Sequence, residues 1–209
     1  TLHMFETSGL DNVAVRWQHV GMAAAADGDT DEAARAFAEG EALFRRSVDR
    51  DPHRAPAWRG LARILWLDGD RDGAIETARE GLGNSRRPAL LRDDLIGMLL
   101  EQRRGDEAVP HLEAALNERP DDPDLLHNAA VALAGTGRTA DAVRTAQRLI
   151  VVAPDDPRGY LDLGVVLGRV GRLIEAREAF AAGLKRVPGH AALRANLEHT
   201  DSLIGPVRE

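Results

Sequence analysis

A lag of 34 residues governs this chain. Leu65, Leu99, Leu133 and Leu167 stand 34 apart, as do Ala74, Ala108, Ala142 and Ala176, and also Leu82, Leu116, Ile150 and Leu184. Pro120, Pro154 and Pro188 form a fourth column, and Pro-Asp-Asp-Pro occurs at 120–123 and again at 154–157. Repetition at a period of roughly 20–50 residues signals a row of like units, each burying its apolar face against its neighbours.

Each unit reads as two helices, because apolar residues recur at spacings of three and four on either side of a glycine-and-charge break. In the unit from Pro157, one helical face carries Tyr160, Leu163, Gly164 and Leu167; Gly171 and Arg172 interrupt; Ala176, Phe180 and Leu184 continue on a second helix. Asp122 before Pro123 and Asp156 before Pro157 are start signals, since a carboxylate caps free amides and proline suits the first turn. An alanine-rich chain with only 4% aromatic residues favours thin helical layers over a sheet core.

The Tyr-x2-Leu-Gly-x2-Leu, Ala-x3-Phe and final Pro pattern around Tyr160, Ala176, Phe180 and Pro188 resembles the tetratricopeptide repeat. Trp58, Leu61 and Ala62 with Ala74 give a second match, and Trp17, Val20 and Gly21 with Ala33 and Phe37 a third. The units from Ala89 and Pro123 are weaker, with Arg92 and Leu126 in the aromatic column and Leu112 and Ala146 where phenylalanine is usual. The resemblance implies an all-α fold, a right-handed α-solenoid of five helix-turn-helix repeats over 14–190 with a C-terminal capping helix. The repeats are 14–54, 55–88, 89–122, 123–156 and 157–190; residues 1–13 form an N-terminal segment, partly disordered or vector-derived, and 191–209 the capping helix and tail.

The first repeat is longer. Ala24 and Ala33 precede Leu65 and Ala74 by 41 residues, whereas Val48 precedes Leu82 by 34. Seven added residues are close to two helical turns and keep Phe37 and Phe44 on one stripe, so a protruding helix of about twenty residues at 30–50 is expected. After Pro188, Leu193, Leu197 and Leu203 or Ile204 are apolar while Arg194, Glu198 and Asp201 are polar, as an end cap requires.

In this family the first helix of each pair lines the concave face, so the resemblance implies a ligand groove built from Arg59, Arg63 and Trp66, then Asp93, Asp94 and Glu101, then Asp124, His127 and Asn128, then Arg158, Asp162 and Arg169. Asp94, Asn128, Asp162 and Asn196 also form a 34-residue column. Related proteins use asparagines in this column to hold peptide backbones, and the resemblance carries that role onto Asn128 and Asn196. The same side chains could instead bridge neighbouring repeats. The charge mosaic likewise has two readings, pairing between repeats or recognition of a partner with a basic centre. One subset of the family grips chaperone C-terminal carboxylates with lysine, asparagine and arginine. Asn128 and Arg158 match it, but Asp93, Gly97 and Asp162 stand where a cation, an asparagine and an arginine belong, so tail docking is not expected.

The expected function is therefore a protein-interaction scaffold that holds a peptide or helix of another protein. Net charge of -7 counts against nucleic acid, since phosphate attraction needs clustered positive charge. No cysteine is present and no catalytic, phosphate-loop or dinucleotide motif occurs, so no enzyme, cofactor or metal is expected. The seven histidines include no pair at metal-ligand spacing on one helix. No stretch reaches the roughly 18 apolar residues of a membrane span. His3-Met4 reads either as a vector remnant before a natural start or as native sequence; on the first reading the chain is complete and cytoplasmic. Arginine for lysine almost throughout, with Lys185 alone, suggests a GC-rich bacterial genome. Three alternatives stand beside the scaffold. One is self-assembly through helix 30–50 into a homo-oligomer; another is a non-catalytic part of a larger enzyme. RNA binding through the related pentatricopeptide architecture is the third, and the lag of 34 and the negative charge count against it.

Overall fold

The computed structural model describes residues 2–205, with side chains from residue 9 onward. Residues 206–209, the end of the segment expected as capping helix and tail, lie outside the described residues, as do the side chains of 1–8 in the N-terminal segment. Among the described residues the chain is eleven α-helices and no strand, so the all-α reading holds. It divides into two compact units, Thr1–Gln102 and Arg103–Glu209.

The first unit holds α1 (Leu2–Ala26), α2 (Thr30–Arg50), α3 (Ala55–Asp68), α4 (Arg71–Asn84) and α5 (Pro88–Glu101). Helix α1 runs through the residues read as an N-terminal segment. Helix α2 is unbroken through residue 42 and buries Ala33, Phe37, Phe44 and Val48 along its length. It does not protrude, because the 25 residues of α1 lie alongside it: Gly21 of α1 faces the Phe37 ring, and Gly40 of α2 approaches the Ala14 carbonyl and Trp17 Cβ. Gly60 of α3 faces the Phe44 ring in the same way. Asp11, buried on α1, pairs with Arg54 at 2.6 Å just ahead of α3.

The second unit holds α6 (Gly105–Glu118), α7 (Pro123–Gly135), α8 (Thr139–Val152), α9 (Pro157–Arg169), α10 (Leu173–Arg186) and α11 (Ala191–Ile204). Each helix packs on the next, and α7, α9 and α11 also meet side by side. Pro123 and Pro157 stand in the first turns of α7 and α9, and Asp122 and Asp156 accept amide hydrogens from Leu125 and Arg158 at 3.2 and 2.9 Å. His190 caps α11 through Nδ1. A core cluster gathers Tyr160, Leu167, Ala176, Phe180 and Leu193. Gly164 faces the Phe180 ring so closely that any side chain there would overlap it. The last helix therefore does cover the apolar face of the pair before it.

Two devices in this unit were not read from the sequence. Arg104, Arg138 and Arg172 stand 34 apart at the N-caps of α6, α8 and α10, and each pairs with the acid three residues on: Glu107, Asp141 and Glu175. These acids sit in the first helical turn, where negative charge is favoured. Asp141 and Glu175 are held below the usual carboxylate range chiefly by their arginines. The second device explains the aromatic column. The Tyr160 hydroxyl donates to the Pro154 carbonyl at 3.0 Å, and the Arg194 guanidinium donates to the Pro188 carbonyl, again six residues back, at 3.2 Å. In the first unit the Trp58 indole donates to Pro52 at 2.7 Å. Arg194 can thus stand where an aromatic is usual because its guanidinium ties the same loop. Tyr160→Phe should cost about 0.5–1.5 kcal/mol in chemical denaturation, one net hydrogen bond with packing retained; no change would deny the tie any energetic role.

Candidate functional site

In the first unit, α1, α3 and α5 present one face. Arg59 of α3 forks onto both carboxylate oxygens of Asp94 on α5, with Nη2 to Oδ1 at 3.1 Å, and this raises the guanidinium above its usual range. Beyond it lies a recess of about 290 Å³ lined by Arg63, Trp66, Asp93, Asp94, Met98 and Glu101, so the expected residues of α3 and α5 do come together. The Arg71 guanidinium lies 4.2 Å above the Trp66 ring centroid. A second recess of about 250 Å³ shares Arg59 and Arg63 with Val15, Gln18 and His19 of α1 and Leu90 of α5. The α1 and Leu90 contributions were not foreseen. Val15 and Leu90 are large apolar side chains left exposed.

In the second unit, Arg158 of α9 bridges Asp124 of α7 at 2.8 Å and its own cap residue Asp156 at 2.7 Å. The Arg158 hydrogen bonds pull Asp156 below the usual carboxylate range, and Asp156 and Asp124 raise Arg158. His127 Nδ1 lies 2.7 Å from Asp162 Oδ2, and the Asp162 side chain is only 9% exposed. Arg169 reaches the Ala134 carbonyl of α7 at 3.4 Å. Asn196 turns its amide back to Ala192 of its own helix at 2.8 Å. Asn128 differs from these. It is half-buried, it reaches solvent, and its side chain has no hydrogen-bond partner among the described residues.

Within each unit the charges of the first-helix face are therefore largely spent on one another. Asp94, Asp124 and Asp162 each have a cation or imidazole from the neighbouring first helix, the pairing alternative for the mosaic. What the sequence reading missed is apolar: Val131 of α7 and Val165 of α9, exposed at 49% and 43%, stand one turn beyond Asn128 and Asp162 on the same side of their helices. The signal was a 34-residue valine column on an otherwise polar face. No group of three or more histidine, aspartate or glutamate side chains suited to a metal occurs among the described residues, and no helix there is long and apolar enough to cross a membrane.

Residues 21–87 and 99–161 each match a model of the tetratricopeptide repeat. Two curated relatives are the Hsp70-Hsp90 organizing protein of Triticum aestivum, 32% identical over 94 residues, and the Hsp70-Hsp90 organising protein of Plasmodium falciparum, 29% identical over 101. These matches cover 45% and 48% of this chain but span only 16% and 40% of the relatives. Among solved structures, YrrB, described as a TPR protein with an unusual peptide-binding site, superposes with a TM-score of 0.69 at 14% identity, covering 95% of this chain and 98% of that one. MamA from Desulfovibrio magneticus gives 0.65 at 15%, covering 85% and 97%. At such identities the likeness is one of fold.

Proposed function

We propose that this chain, which belongs to the tetratricopeptide-repeat family, is a non-catalytic protein-interaction adaptor whose first helices hold a segment of another protein. The observation that carries the reading is Asn128. An amide carries both a donor and an acceptor, so it can pair with the N–H and C=O of an extended backbone whatever the side chains. A half-buried amide with no hydrogen-bond partner among the described residues, beside the exposed Val131 and Val165, combines sequence-independent grip with apolar contact.

The curated relatives are named for organising Hsp70 and Hsp90, and protein binding is what this chain is proposed to share with them. Docking of a terminal carboxylate is not proposed. Asp93, Gly97 and Asp162 replace the cation, asparagine and arginine that would receive it. A basic-centred partner would compete with Arg59 and Arg158 for Asp94 and Asp124, so ligand charge is proposed to tune affinity rather than to generate it.

Asn128→Ala separates the reading from its rival. A residue that grips a ligand loses about 0.5–1.5 kcal/mol of binding with thermal stability nearly unchanged. If stability falls and affinity for the captured partner stays, Asn128 belongs to the scaffold instead. Self-association is a second reading, favoured by the exposed Val13, Trp17 and Val20 on α1 rather than by α2, whose apolar face is already covered. It predicts a mass in light scattering that rises with concentration.

A further inference from the structure

The face of α1, α3 and α5 inverts the pattern of α7 and α9. Pro56, Leu90, Asp124 and Arg158 stand 34 residues apart, as do Arg63, Gly97, Val131 and Val165. In the second unit the first of these columns carries an ion pair and the second carries exposed valines. In the first unit the first column is apolar and the second begins with a guanidinium. The lag of 41 between the first two repeats adds Val15 of α1 to the apolar column.

Val15, Pro56, Leu90 and Arg63 all line the recess of about 250 Å³ between α1, α3 and α5. Val15 and Leu90 are exposed, so its apolar wall is open to a ligand. Arg63 also borders the recess of Asp93, Asp94 and Glu101, yet it makes no hydrogen bond or ion pair among the described residues. Asp94 is paired with Arg59, and no carboxylate is among the described residues that line the recess of α1, α3 and α5.

Gln18 supplies a third group. It is only 4% exposed, its amide donates to Met22 Sδ at 3.9 Å, and its carbonyl oxygen has no hydrogen-bond partner among the described residues. Gln18 lines the recess, and that oxygen is not sealed from solvent. Closing a ligand over it without a donor would be costly.

The occupant must therefore bring an apolar side chain for the wall, an anion for the free guanidinium and an N–H for the buried oxygen. An extended peptide with an acidic residue near an aliphatic one brings all three, whereas a basic segment would oppose Arg63. We propose that this recess holds such a segment of a partner protein, its aliphatic side chain against Val15, Pro56 and Leu90, its side-chain carboxylate on Arg63 and a backbone N–H on Gln18. The proposal rests on the reading of this chain as a protein-interaction adaptor and is separate from the face that carries Asn128.

The test uses the full chain and two pentapeptides, acetylated and amidated so that neither has a terminal charge. Both have a central leucine between serines; one carries glutamate at each end and the other glutamine, so either chain direction can reach Arg63. Each is titrated into isotopically labelled protein and followed by NMR. Saturable shifts in α1, α3 and α5, the Gln18 side-chain amide included, are expected, with the glutamate peptide about tenfold tighter than the glutamine peptide. Rising salt should shrink that advantage. Arg63→Gln, at an exposed and unpaired position, should abolish it while circular dichroism stays unchanged. Leu90→Ser should weaken both peptides about fivefold or more and leave their ratio alone. Equal binding of the two peptides by the native chain, or a glutamate preference that survives Arg63→Gln, overturns the proposal. So does the absence of saturable shifts in α1, α3 and α5, or their appearance on α7 and α9 instead. Partner capture through Asn128 reads the second unit, so either result can fail without the other.

Discussion

Ending the chain after His190 is expected to lower the unfolding midpoint of the second unit by on the order of 10 °C or more and to make the protein aggregate. Leu193 of α11 is fully buried, and the backbone of Gly183 packs so tightly against it that a Cβ there would lie 2.9 Å from Leu193 Cδ1. Losing one such leucine costs about 2–5 kcal/mol, and in a unit of this size each kcal/mol moves the midpoint by roughly 4–8 °C. The partly buried Leu197 leaves with it. The exposed Arg177–Asp201 pair goes too, but exposed pairs contribute little. Tyr160 and Phe180 would then face water, and an open apolar repeat end recruits other copies. Thermal melting with light scattering checks this; an unchanged melt would show that α11 is not a cap.

Phe180→Ala is expected to cost about 3–5 kcal/mol, since the ring is fully buried and its loss leaves a cavity. The same column holds Ala146 one repeat earlier, so the cost is set by the layer and not by the fold. Gly164 makes the prediction sharper. Gly164→Leu alone should destabilise by about 1–3 kcal/mol through overlap with the ring. In the Phe180→Ala background the leucine enters the vacated space, and the two changes together should cost less than either sum implies. Strict additivity in denaturant unfolding would mean that Gly164 and Phe180 are not coupled.

The helix pairs were legible because their period is written in residues that must be buried: Leu133 and Leu167, Ala142 and Ala176, each at the same depth. The burial of α2 was not. Its seven extra residues showed its length, but whether its stripe would be covered depended on α1, whose apolar residues point all round and mark no face. The lateral pairs Arg59–Asp94, Asp124–Arg158 and His127–Asp162 stand 34 or 35 residues apart with complementary chemistry, so they were visible in principle. Pairs of unlike residues leave no mark on a period written in like ones. The capping arginines at 104, 138 and 172 escaped for another reason, since the usual N-cap signal is an acceptor and these residues work through the acid three positions on. At the site, residue identity located Asn128, but only its surroundings in the fold distinguish it from Asn196, which is tied to its own helix.

The central claim is that the first-helix face of α7 and α9 holds another protein. Quantitative affinity capture from the source cell tests it most directly, comparing the native chain with a triple variant, Asn128→Ala, Val131→Glu and Val165→Glu. All three positions are solvent-reaching, so the variant should melt within a few degrees of the native chain. The account predicts that the captured partner falls about tenfold or more with the triple variant and recovers when the changes are reversed. An equal yield of the same partner from both chains would contradict it.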